Sequence, residues 1–356
     1  MRGKIMTSND QSQTSTENST ALQAGRDINF QQGMTYQDVR QVAHDLFEAN
    51  FYRLSAVARE EATRRAEYIT EKFISRLMNE NPSGFSQAND PSFQHALYTV
   101  QKEHARAGDE NLADLLVDLL VDRSKQEQRD LLQLVLDESL ATAPKLTEGQ
   151  LANLAVVFVL RYTESVGIKS DNALGAYLDR YILPFVEALA VSDSSFTYLE
   201  FAGCGSTSLL MEISVEGILL KDYPALFVAG LSRDEIEEMG FSGGVDSRIF
   251  IPCLNDASKY QVGVMRYADI EPDLSRQGIP LDVIDRVKSI YQRNLMTEEE
   301  VRAKVLRIRP ATEVLFQKWS NSAMKSLSLT SVGSAIGHAN VKRLVGSFGG
   351  LENWVN

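Results

Sequence analysis

Cysteine is scarce in this chain: two residues among 356, Cys204 and Cys253, cannot build a disulfide framework, and a reducing compartment fits that usage. Histidine is nearly as rare. His44, His95, His104 and His338 are scattered and make none of the usual Cys/His pairings, so no metal site is expected. Long apolar runs are missing too. The longest, Leu154 to Leu160, is far shorter than the roughly 20 residues that cross a bilayer, and the polar amino end does not read as a secretory signal. A cytoplasmic protein without a membrane span is the expectation. Net positive charge is also lacking; a balance of -12 argues against a chain that binds nucleic acid as a whole.

What is present begins at Ala21. Residues 2 to 20 are mostly Ser, Thr, Asn, Gln and Asp, too polar to bury a core, and are expected to be a disordered tail. Residues 21–33 then turn apolar: Leu22 and Ala24 share one face of an extended strand, and Ile28 and Phe30 share one face beyond Gly25, which permits a turn or bulge. So short a strand is marginal alone and needs partners, and copies of itself qualify. Gln23, Asn29, Gln31 and Gln32 offer amide ladders for in-register stacking. Leu22, Gln23, Gly25, Ile28, Asn29 and Phe30 are therefore the assembly candidates.

Gln23-Ala24-Gly25 followed by Asn29 resembles the short cores of amyloid-type signalling motifs, including RIP homotypic interaction motifs. AGRDIN is similar to the "AGRDI" or "AGGDV" strands near the start of bacterial conflict and phage-defence proteins, including an uncharacterised family of about this size. That second resemblance extends loosely through FTYLEFAGCGS and LTSVGSAIGHANVKR. It implies antiviral defence and self-assembly, without an established activity.

From residue 34 to 81 the pattern predicts one long amphipathic helix. Thr35 and Asp38 form a capping-box-like start, and apolar residues recur at Val39, Ala43, Phe47, Phe51, Leu54, Ala58, Ala62, Ala66, Ile69, Phe73 and Leu77 with no Gly or Pro between them. Strict heptads fail, because Arg53, Glu60 and Glu67 would sit in the seam; the spacing is nearer an eleven-residue repeat, and a straight bundle rather than a left-handed coiled coil is expected. Ala58, Ala62 and Ala66 would admit a close neighbour, either the same helix of another subunit or Phe93 to Val100 of this chain.

The remainder reads as mainly α with a small α+β region. Residues 92–190 predict an antiparallel helical bundle of short loops, with Gly108 ending one helix, Thr147 capping another whose Ala155 to Leu160 stretch is apolar nearly all round, and a bend at Pro184. Residues 193–268 predict a small mixed sheet of about four strands from FTYLEFAG, LLMEISV, SRIFIPCL and KYQVGVM, the last two around an Asn255-Asp256 turn. Residues 279–356 return to helices, with Thr297 and Glu300 as a capping box. LSLTSVG resembles the last strand and helix start of winged-helix domains. Between Arg302 and Val345 eight basic residues face a single acidic one, Glu313, leaving -19 elsewhere; docking of this part on the chain's own acidic surface is expected, ahead of an acidic partner.

Two loops carry candidate chemistry. Ser242, Gly243, Gly244, Asp246 and Ser247 match the SGGxDS phosphate loop of the PP-loop ATP pyrophosphatase family. That loop needs an apolar strand before it and a helix after it, whereas here charged residues precede and Ile249-Phe250-Ile251-Pro252 follow. Cys204 between two glycines is a nucleophile candidate without a histidine nearby in sequence, and a buried small thiol in a tight turn explains it as well. The leading expectation is a non-enzymatic, self-assembling homo-oligomer that acts as a sensor or scaffold and binds another protein, with no cofactor. The alternative is an enzyme using the nucleotide-like loop or Cys204.

Overall fold

A computed structural model describes residues 34–50, 55–208, 211–241, 246–346 and 348–355. Its helices and strands follow the chain as α1 (Tyr36–Asn50), α2 (Ala56–Glu80), α3 (Pro91–Ala107), α4 (Glu110–Arg123), α5 (Leu131–Thr142), α6 (Glu148–Tyr162), α7 (Asp171–Tyr181), α8 (Leu183–Val186) and α9 (Asp193–Phe201). They continue as β1 (Gly205–Thr207), α10 (Val215–Asp222), α11 (Arg233–Glu238), β2 (Phe250–Pro252), β3 (Tyr260–Val262), α12 (Ile270–Arg276), α13 (Leu281–Arg293), α14 (Glu298–Ile308), α15 (Thr312–Ser320), β4 (Leu327–Leu329) and α16 (Ser331–Val345). The class is mainly α with little β.

The stretch read as one long helix is instead a helical hairpin. α1 ends at Asn50 and α2 starts after Ser55, and the two helices run back along each other: Arg59 pairs with Glu48 at 2.6 Å and Arg40 with Glu71 at 3.3 Å. A straight helix would hold Arg40 and Glu71 about 46 Å apart at 1.5 Å per residue. The apolar stripe is real but is folded onto itself, because Phe47 of α1 then packs on Ala62 and Ala66 of α2 together with Ala105 of α3. The expected start is present, with Thr35 N–H donating to Asp38 Oδ2 at 2.8 Å and Asp38 N–H to Thr35 Oγ1 at 3.3 Å.

The bundle helices form where their caps predict. Asp90, Asp109 and Asp130 side chains accept from the third residue onward at the starts of α3, α4 and α5, and Thr147 and Gln150 complete a reciprocal box on α6. α3 ends on Gly108 in the left-handed region, φ 67°. Every residue of α6 from Ala152 to Leu160 is buried. Its nearest neighbour is α16. A Cβ on Gly337 would lie 2.7 Å from the Leu154 carbonyl oxygen, so the two backbones touch where only glycine fits.

The strands do not make one mixed sheet. They form two antiparallel pairs, β1 with β4 (Gly205 opposite Leu329) and β2 with β3 (Phe250 opposite Val262). FTYLEF, expected as a strand, is α9, whose Phe196 and Leu199 share one buried helical face. From the second expected strand, Met211 to Ser214 are not in a strand, although Ile213 N–H donates to Lys325 O at 3.0 Å. Packing also groups the chain differently from its sequence segments. One hydrophobic core runs from Val39 through the bundle to Phe227 and resumes from Val301 to Val355, and a second gathers Leu231 to Tyr291 around α11, α12 and α13.

Candidate functional site

The assembly candidates Leu22, Gln23, Gly25, Ile28, Asn29 and Phe30 lie outside the described residues, as do Ser242, Gly243 and Gly244. Ala58 is exposed, whereas Ala62 and Ala66 are buried within the chain, so the close neighbour of those two is intramolecular. Asp246 is engaged by Arg248, whose backbone N–H donates to Oδ1 at 2.9 Å and whose guanidinium donates to Oδ2 at 2.7 Å. Its carbonyl accepts from Ile249 and Phe250 in a turn that leads with Ser247 into β2. A strand, not a helix, follows the phosphate-loop look-alike.

Cys204 is fully buried between α9 and β1, and burial pushes its thiol up to about 12, which removes the thiolate a nucleophile needs at neutral pH. The small-residue loop serves packing instead. Thr330 N–H donates to the Cys204 carbonyl at 3.1 Å, Thr330 Oγ1 donates to the Gly203 carbonyl at 2.6 Å, and a Cβ on Gly333 would sit 1.8 Å from the same Cys204 oxygen. The loop is the seat of α16. The basic C-terminal part docks on carboxylates of the rest of the chain: Arg302 on Glu216, Lys304 on Asp171, Arg309 on Asp179 and Lys325 on Glu212.

The polar concentration that sequence reading missed lies where α2, α4 and α16 meet. Each helix supplies two groups one turn apart, Arg76 and Glu80, Asp118 and Asp122, His338 and Lys342, and that spacing puts each pair on one helix face. Lys342 Nζ reaches Glu80 at 3.2 Å, Asp122 at 3.4 Å and Asp118 at 4.0 Å. Arg76 closes on both Glu80 and Asp118, and Lys125 meets Asp122 at 2.6 Å. Burial opposes the Lys342 ammonium, but the combined pull of Asp122, Asp118 and Glu80 outweighs it and holds its pKa above the ordinary value. Asp118 goes the other way. Its side chain is 1% exposed, and burial outweighs the two cations and lifts it from 3.8 to about 6.

His338 sits beside this network under a closing segment, residues 348–355. Its ring lies edge-on to Phe158 at 5.9 Å, with Phe348 and Trp354 each 5.6 Å away, and Trp354 Nε1 anchors the segment by donating to the Tyr162 carbonyl at 2.7 Å. Burial lowers the His338 pKa, so the imidazole is neutral. A cleft of about 440 Å³ opens here, bordered by Glu80, Asp122, Lys125, His338 and Lys342, by Leu132 and Leu136 of α5, and by Phe348 and Glu352. Among the described residues no group of three or more His, Cys, Asp or Glu side chains is placed to hold a metal ion. No described helix is long and apolar enough to cross a membrane.

The helical pairs at this junction carry a weak sequence signal, since each is an ordinary i, i+4 pair on a helix. Comparison with known proteins gives no curated protein and no solved structure that matches. One family model, described only as a "-like" family, matches residues 33–355. That span takes in both hydrophobic cores and the cleft, and the chain belongs to this family.

Proposed function

We propose that the protein is a non-enzymatic, self-assembling bacterial protein of the cytoplasm, a sensor or scaffold of a phage-defence or conflict system, in which residues 21–33 join subunits and the folded body presents a surface to another protein. The observation that carries this reading is that the apolar segment read from the sequence precedes the span that the family model matches. Val39, Ala43 and Phe47 of α1 are already buried against α2 and α3, and the matched family span starts at residue 33, at the edge of the apolar stretch. A short amide-rich apolar segment of the kind read at residues 21–33 is suited to pairing with its own copies. The buried thiol of Cys204 and the Asp246 carboxylate held by Arg248 favour a structural role for both chemistry-bearing loops.

Light scattering on the full chain tests it against a chain beginning at Met34 and a full-length Ile28→Lys, Phe30→Lys double variant. The expected outcome is a multimer for the first and monomers for the other two. A monomeric full chain at high concentration, or an unchanged mass in the double variant, overturns the assignment.

A further inference from the structure

We propose that the cleft between the starts of α4 and α6, α8 and the end of α16 binds a free α-amino acid with an apolar side chain, its carboxylate held by the Arg343 guanidinium and its ammonium by Glu148. Arg343 is half-buried and borders the cleft. Its guanidinium donates to amide oxygens, from Nε and Nη2 to Asn340 Oδ1, each at 3.1 Å, and from Nη1 to Asn111 Oδ1 at 2.8 Å. Asn111 and Asn340 border the same cleft, so the guanidinium that bridges them lies along its wall. Asn340 is 3% exposed and donates to the Leu151 carbonyl at 3.0 Å, which fixes the fork in place. Both acceptors are neutral. Among the described residues no carboxylate touches the guanidinium, and burial lowers its pKa despite the distant pull of Asp114, Asp109, Asp118 and Glu148. Of the five N–H groups of a guanidinium, three are engaged here, and one is left on each terminal nitrogen, the pair that a carboxylate takes.

The acids of the lining select what else the ligand carries. Glu148, in the first turn of α6, is exposed at the cleft, and its carboxylate has neither a hydrogen bond nor an ion pair among the described residues. Asp109 is committed to α4, where its Oδ1 accepts from Leu112 N–H at 2.7 Å. A guanidinium without an anion and a carboxylate without a cation thus border one space without meeting. An anion alone would satisfy Arg343 but meet Glu148 and Asp109, and an amine alone would satisfy Glu148 but meet Arg343. A zwitterion answers both. Leu112, Leu146, Leu151 and Phe185 supply apolar surface for a side chain, and about 410 Å³ suits a molecule of that size. The binding belongs to the folded body and is independent of assembly through residues 21–33.

Calorimetric titration of the full-length chain with L-phenylalanine, phenethylamine and hydrocinnamate decides the matter, because the three share one ring and differ in which charges they carry. L-phenylalanine is expected to bind, and loss of either charge to weaken binding about tenfold for want of a charge-assisted contact. Each variant should act on its own end of the ligand. Arg343→Gln is expected to weaken L-phenylalanine about tenfold and leave phenethylamine unchanged, and Glu148→Gln, at an exposed position, to weaken L-phenylalanine about tenfold and leave hydrocinnamate unchanged. If Arg343→Gln does not fold, Glu148→Gln decides alone. No heat from millimolar L-phenylalanine, equal binding of the three probes, undiminished L-phenylalanine affinity in either folded variant, or a loss in Glu148→Gln that hydrocinnamate shares overturns the proposal.

Discussion

Asp118 shows how burial and charge compete at a single residue. Its carboxylate touches Arg76 and lies 4.0 Å from Lys342, yet its side chain is 1% exposed, and removal from water costs more than the two cations return. The folded chain therefore holds the Asp118 proton more tightly than the unfolded chain does, with a pKa of about 6 against 3.8. For a raised carboxyl the sign is that stability is fully present below the unfolded value and is lost as pH rises through the folded one. Relative to Asp118→Asn, which does not titrate, the parent should gain about 3 kcal/mol as pH falls from about 7 to about 3, read by urea unfolding at several pH values. A constant difference across that range would contradict the desolvation account. Such a residue is illegible in sequence, since Asp118 and the solvated acids around it look alike until a third helix covers one of them.

At the scale of elements, α16 and its seat decide the architecture. All ten residues from Gly333 to Lys342 are buried, which a helix tolerates only where its neighbours approach closely and its polar groups find partners. Asn340 donates to the Leu151 carbonyl at 3.0 Å and Lys342 joins three carboxylates, so most of that polarity is met. Replacing Gly333 by Ala places a methyl 1.8 Å from the Cys204 oxygen, and backbone must shift; Gly337→Ala meets the Leu154 oxygen at 2.7 Å. Losses of about 1–3 kcal/mol are expected for each, larger at Gly333, and chemical denaturation of the two variants checks the order. LSLTSVG marked a helix start in the sequence, but nothing in the small residues of SVGSAIGHAN tells that the helix is central. The hairpin of α1 and α2 was hidden for a related reason. No Gly or Pro marks the break in the sequence, and the antiparallel arrangement of α1 and α2 is favoured by burial of Phe47 on Ala62 and Ala66.

Across the whole molecule, Lys304 joins the two hydrophobic cores. It is 2% exposed, reaches Asp171 of α7 at 2.8 Å, lies 5.3 Å over the Phe227 ring, and also holds the Leu226 carbonyl and the Asn255 side chain near β2 and β3. Burial lowers its pKa despite the Asp171 carboxylate. Lys304→Met keeps the bulk and removes the donor; the Leu226 carbonyl still accepts from Asn255 Nδ2 at 3.0 Å, so the Asn255 side-chain oxygen is the acceptor left unmet, and at about 1–3 kcal/mol its loss should loosen the second core first. Fluorescence of Trp319, in the first core, and hydrogen exchange in α12 and α13 would then report separate transitions, whereas coincident transitions would show that Lys304 does not couple the cores. By itself the sequence determined helical content, most helix ends, the two strands around Asn255 and the pairing of the basic part with the chain's own acids, because caps, periodicity and charge balance act over a few residues. Tertiary structure alone decided that the apolar stripe folds back, that Cys204 is sealed beneath α16, and that six ionisable groups from three helices gather where α2, α4 and α16 meet. Burial and distance between remote segments set those outcomes, and neither is written in any local pattern.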